Sequence, residues 1–192
     1  MNVAGGPPYV ELAPCAMISI YGDRLAENAS PAPGLPLPPQ LANAQVFRAG
    51  LKLPLNFASQ TQVNATVPYE LNVNPPLQVL VQRGLTYSLP VLANVAPAEA
   101  GIFNSGPPQS AGLIYAYPID GSAPYLVTPA TPARTSDTIE LFCSGLGGVN
   151  PPVPAGSAQG TQTSITANTA QLLIGNQTAQ VQQHMPPKAV PQ

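Results

Sequence analysis

Proline pairs cut this chain into pieces that suit strands and turns and leave little room for helices. Pro7-Pro8, Pro38-Pro39, Pro75-Pro76, Pro107-Pro108, Pro151-Pro152 and Pro186-Pro187 recur at intervals of 31 to 44 residues. Each pair fixes φ and removes backbone donors, so it belongs at a sheet edge or in a connection. The chain has 26 Pro among 192 residues, more than twice the usual share of about 5%. No window keeps a helical period without Pro or Gly, and only residues 97–100 leave room for a single helical turn.

Proline-rich chains are often disordered, but disordered chains are poor in β-branched and aromatic residues and rich in charge. Here 44% of residues are hydrophobic and they fall in alternating or short continuous runs, as at 18–21, 46–55 and 77–81. Strands are expected near 16–22, 43–49, 53–57, 62–67, 77–82 and 85–93. A second set is expected near 111–117, 137–143, 161–166, 170–175 and 178–183. Many short strands between turn signals predict an all-β antiparallel sandwich architecture. The run Gln78-Val79-Leu80-Val81-Gln82 reads as a mostly buried strand.

A weak internal repeat divides the chain. Ile18-Ser19-Ile20-Tyr21-Gly22-Asp23-Arg24-Leu25 shares its apolar pattern with Ile139-Glu140-Leu141-Phe142-Cys143-Ser144-Gly145-Leu146, at an offset of 121. Ala44-Gln45-Val46-Phe47 matches Ala170-Gln171-Leu172-Leu173 at an offset of 126. Repeats of this kind predict two related sandwiches in tandem, residues 1–95 and 96–192, with the boundary near 95–106.

Charge is sparse. Arg24, Arg48, Lys52, Arg83, Arg134 and Lys188 are scattered and the net charge is −2, which argues against nucleic acid, since phosphate recognition needs clustered cations. No apolar run is long enough for a membrane span. The opening Met1-Asn2-Val3-Ala4-Gly5-Gly6 lacks the basic and apolar regions of a signal peptide, so an exported product would have to carry this chain as a processed piece or fragment.

Catalytic and metal chemistry is poorly supplied. Cys15 and Cys143 lie 128 positions apart, and neither has a second Cys or His at ligand spacing; two small buried or half-buried thiols are the preferred reading, while a disulfide between them would cross the two halves. His184 is the only histidine and sits beside a proline-rich terminus, a poor place for a catalytic base. Asp23 with Glu27 and Asp137 with Glu140 are the only close carboxylate pairs, and the second pair reads as a strand entry and a wet face before Leu141. Asp120-Gly121-Ser122 is far short of a calcium cage and reads as a tight hairpin turn with Gly121 at positive φ. Ser144-Gly145-Leu146-Gly147-Gly148 precedes a proline-rich loop, not the helix a phosphate cradle needs. Tyr115 and Tyr117 point to one face of a strand and are the candidate ligand-contact residues, as a paired sugar platform, against a plain packing role. No catalytic, cofactor-binding or metal residue is assigned, and no cofactor is expected.

The segment Ala13-Pro14-Cys15-Ala16-Met17-Ile18-Ser19-Ile20-Tyr21-Gly22-Asp23-Arg24-Leu25-Ala26 resembles the opening of a C-terminal module of large secreted proteins from soil bacteria of the Solibacter (Acidobacteria) type. Matches continue in order at Gln62-Val63-Asn64-Ala65-Thr66-Val67-Pro68-Tyr69-Glu70, Gly101-Ile102-Phe103, Asp120-Gly121-Ser122 and residues 142–156, covering roughly 10–183. The resemblance implies two immunoglobulin-like halves of the IPT/TIG type, found in cell-surface and extracellular proteins. The chain departs from that pattern twice. Cys15 stands where the family usually has Gly, which puts the tight turn at Pro14-Cys15 in question, and the second half ends early, so that its sandwich is expected to be incomplete. In a bacterial chain the sequons at Asn28, Asn64 and Asn176 read as incidental. The expected role is a non-enzymatic extracellular structural, spacer or adhesion module, with a carbohydrate-binding module as the alternative. Loops 30–40 and 147–160 would supply contact surface. The expected partners are other domains or other copies met through an open β-edge, or polysaccharide, without nucleic acid or membrane insertion.

Overall fold

The computed structural model describes residues 11–69, 76–104, 112–158 and 160–181. The fold is all-β, and the described residues contain no helix. Residues 97–100, the one stretch with room for a helical turn, form none, and Glu99 donates its backbone N–H to Gly145 O at 2.8 Å, a partner distant in sequence.

The described residues between 11 and 95 form the strands β1 (Glu11–Leu12), β2 (Met17–Tyr21), β3 (Ser30–Pro31), β4 (Ala44–Arg48), β5 (Leu51–Lys52), β6 (Leu55–Ala58), β7 (Gln62–Thr66), β8 (Leu77–Arg83), β9 (Thr86–Tyr87) and β10 (Val91–Val95). One antiparallel sheet has the order β2-β7-β6-β3, and the other has the order β1-β10-β8-β4-β5, with β9 paired to β8. Strict alternation builds the core between them. Val63 and Ala65 of β7 point inward while Gln62, Asn64 and Thr66 do not, and Ala44 and Val46 alternate with Gln45 and Phe47 in β4. Leu53, Leu55, Val46, Val63 and Val67 are fully buried, each contributing about 1.5–3 kcal/mol by leaving water.

Three details differ from the sequence reading. The expected strand at 85–93 is split into β9 and β10, since Ser88-Leu89-Pro90 interrupts the ladder. The stretch 78–82 is wet on one side: Val79 and Val81 are buried, whereas Gln78 is exposed and Leu80 only half-buried. The turn at Pro14-Cys15 forms despite its cysteine. Ala16 N donates to Ala13 O at 3.1 Å, and Cys15 adopts φ +62°, a region that costs an L-residue about 1–2 kcal/mol.

Beyond residue 96 the strands are shorter: β11 (Gly101–Ile102), β12 (Ile114–Tyr117), β13 (Tyr125–Leu126), β14 (Thr138–Leu141), β15 (Cys143–Ser144), β16 (Val149–Asn150), β17 (Ile165–Thr166), β18 (Leu172–Ile174) and β19 (Gln177–Ala179). They form one three-stranded sheet, β13-β12-β14, and three separate pairs, β11-β15, β16-β17 and β18-β19. Among the described residues of this half only Ala116 is a fully buried hydrophobic, whereas the continuous core runs from Leu12 to Val95. The repeated segments both make strands but pair differently. β2 pairs with β7, which follows it in the chain, while β14 pairs with β12, which precedes it.

Among the described residues, hydrogen bonds tie the second half to the first. Ala96 N donates to Leu12 O at 2.8 Å, at the junction itself. Met17 N donates to Ser144 Oγ at 2.8 Å, at the edge of β2. Leu37 N donates to Gly156 O at 2.7 Å, so the two long proline-rich loops meet each other. A Cβ at Gly156, whose φ is +72°, would sit 2.6 Å from Pro54 Cβ and 2.9 Å from Leu37 Cβ.

Candidate functional site

The sheet β13-β12-β14 positions the tyrosine pair. Alternation along β12 places Tyr115 and Tyr117 on one side and Ala116 on the other, and register sets Tyr115 opposite both Leu126 and Glu140. Tyr115 is half-buried and packs edge-to-face on Phe142, with ring centroids 6.0 Å apart and an interplanar angle of 72°. Tyr117 is 41% exposed and its hydroxyl donates to Glu140 Oε2 at 2.6 Å. That bond to a carboxylate is the main reason the Tyr117 hydroxyl titrates above the ordinary tyrosine range. The two rings therefore have different surroundings: one packs against Phe142 and the other is anchored by its hydroxyl.

The carboxylates expected at a strand entry hold this sheet's connections. Asp137 Oδ2 accepts from Tyr125 Oη at 2.9 Å and from Arg134 N at 2.9 Å. Burial first, and then Asp137, raise the Tyr125 hydroxyl. Asp120 Oδ1 accepts from Ser122 Oγ at 2.6 Å and Ser122 N at 2.9 Å, which lowers its carboxyl pKa. Gly121 lies at φ +77°, as expected, but the connection between β12 and β13 spans residues 118–124 and is longer than a tight hairpin turn.

Cys15 and Cys143 are not joined in a disulfide, and both are half-buried. The Tyr69 hydroxyl bonds to Cys15, and burial together with that bond raises the Tyr69 pKa. Cys143 lies in β15 beside Ser144, whose side chain faces Met17, so strand alternation turns Cys143 away from β2. Burial raises its thiol. Among the described residues no three His, Cys, Asp or Glu side chains gather where they could hold a metal ion. His184 lies outside the described residues. No helix among the described residues is long and apolar enough to cross a membrane.

One group was not singled out by the sequence reading. Arg48 faces inward on β4, is 5% exposed, and its Nε has no hydrogen-bond partner; burial lowers its pKa. The alternation Ala44, Val46, Arg48 places it on the core side, and that alternation is present in the sequence.

Compared with protein-family models, with curated proteins and with solved structures, the chain matches none.

Proposed function

We propose that the chain is a non-catalytic module of a larger secreted or cell-surface bacterial protein, acting outside the cell as a structural, spacer or adhesive unit. In this reading it is built of two immunoglobulin-like halves of the IPT/TIG type, residues 1–95 and 96–192, the second incomplete and leaning on the first. The distribution of buried apolar side chains supports it best: the continuous core spans Leu12 to Val95 and closes between two sheets, giving a rigid unit on which loops are carried. Open edges supply the means of contact. The β18-β19 hairpin pairs with no other strand among the described residues, and its Leu173 and Ile174 are 66% and 54% exposed. A lone hairpin is marginal in water, and strand addition from a neighbouring domain or another copy would complete it.

The test is an epitope inserted at Gly175-Asn176, the tip of that hairpin, in the bacterium that makes the protein. Protease added to intact cells is expected to remove the epitope. Protection until the cells are lysed would overturn the extracellular role.

A further inference from the structure

The outward face of the sheet β1-β10-β8-β4-β5 presents side chains that the core does not use. Val46, Val79 and Val81 point inward, so Gln45, Phe47, Gln78, Leu80 and Gln82 point outward. Strand register arranges them in rows. Gln82 lies between Gln45 and Tyr87, Phe47 lies between Lys52 and Leu80, and Gln78 lies opposite Leu92. Tyr87 and Leu92 are 59% and 60% exposed, and Phe47 and Leu80 are half-buried. Strand and residue spacings put Phe47 and Tyr87 roughly 12 Å apart on one surface, the span of a short oligosaccharide.

The polar groups on this face are held in place. Gln45 Nε2 donates to Gln40 Oε1 and Gln82 Nε2 donates to Gly84 O, both at 2.7 Å, which leaves the side-chain oxygens of both amides as acceptors. Lys52 Nζ stands 5.7 Å from the Phe47 ring centroid. Lys52 and, at the far edge, Glu11 are the only charges on the face among the described residues. An anionic polymer would need clustered cations. An apolar protein surface would bury the Gln78 amide and the side-chain oxygens of Gln45 and Gln82 without partners, at about 1–3 kcal/mol each. An uncharged sugar polymer meets both demands. Its C–H faces lie on Tyr87, Phe47, Leu80 and Leu92, and its hydroxyls exchange hydrogen bonds with Gln45, Gln78, Gln82 and the Tyr87 hydroxyl.

We propose that this face, centred on Phe47, Gln82 and Tyr87, is a binding platform for an uncharged extended polysaccharide. The proposal gives the adhesive role a class of partner and stands independently of where the chain is located.

Affinity electrophoresis of the full 192-residue chain through gels containing cellulose derivatives, xylan, mannan or starch, with alginate as the charged comparison, tests it. Retardation is expected on at least one neutral polymer and not on alginate, with little change on adding salt. Tyr87→Ala, at an exposed position, and Gln82→Leu, which keeps the side chain's bulk, are each expected to weaken retention at least ten-fold. Tyr21→Ala, at an equally exposed tyrosine on the other sheet, is expected to leave it unchanged. No retardation on any neutral polymer, or retention unaffected by Tyr87→Ala, would overturn the platform. So would a concentration-dependent dimer in sedimentation that Tyr87→Ala abolishes, because the face would then be an interface between copies. None of these results bears on the epitope test above, so failure of the platform and failure of the extracellular role are told apart.

Discussion

Ser144 Oγ accepts a hydrogen bond from the backbone N–H of Met17 at 2.8 Å, across 127 positions of sequence. Among the described residues β2 pairs with β7 alone, so a residue from beyond position 96 supplies an acceptor at an edge of the sheet β2-β7-β6-β3. Ser144 is 8% exposed, and water does not readily replace it. Ser144→Ala is expected to destabilise the chain by about 0.5–1.5 kcal/mol, the net contribution of one part-buried hydrogen bond. Chemical denaturation reads this as a lower midpoint, and the Met17 amide should exchange faster with solvent.

The loop contact gives a second, independent reading of the same association. Gly156 combines a left-handed φ of +72° with no room for a Cβ against Pro54 and Leu37. Gly156→Ala is expected to cost more than about 1 kcal/mol through strain and displacement of the loop. Gly121→Ala has a similar φ, +77°, and open space around it, so it isolates the backbone share. A larger loss of thermal stability for Gly156→Ala than for Gly121→Ala is the expected result.

Cys15 holds a left-handed conformation, φ +62°, in the turn from β1 into β2. Cys15→Ala removes the thiol and its bond to Tyr69 but keeps the Cβ, whereas Cys15→Gly removes both. Relief of backbone strain is expected to make the Gly variant more stable than the Ala variant by about 1 kcal/mol. Paired urea titrations of the two variants check it.

Arg48 is a buried guanidinium whose Nε has no hydrogen-bond partner. Replacing such a group with an apolar side chain of similar length is neutral or stabilising by about 1–4 kcal/mol. Arg48→Met is therefore expected to melt no lower than the parent chain. Arg48→Ala, which leaves a void, is expected to melt lower than Arg48→Met.

Much of the first sandwich was legible because its strands advertise themselves. Gln62 to Thr66 alternates polar and apolar residues without interruption and forms β7 where the pattern puts it, while Ala44 to Arg48, with Val46 and Phe47 adjacent, alternates in burial and forms β4 within the expected 43–49. The two-residue strands β1, β3 and β5 carry no pattern of their own; partners such as Asn94 and Val95 for β1 decide them. Tyr115 and Tyr117 were found by i, i+2 spacing, which places two rings on one side but says nothing of Phe142 or Glu140, the groups that hold them. The Phe47–Tyr87 face stayed hidden for the same reason. Its members come from strands β4, β5, β8, β9 and β10, and only register brings them together. Reading 78–82 as mostly buried concealed Gln78 and Gln82, whose exposure follows from the open side of that sheet.

Hydrogen exchange of the intact chain, read peptide by peptide in a sample shown to be monomeric, tests most directly whether stability resides in the first sandwich. Amides of β2, β4, β7 and β8, whose strands enclose the core from Leu12 to Val95, are expected to exchange only through global opening. Amides of β16, β17, β18 and β19, which sit in two-stranded pairs, are expected to exchange by local opening, orders of magnitude faster. Equal protection in both halves would show that residues 97–181 close a sandwich without help, and would contradict the dependence of the second half on the first.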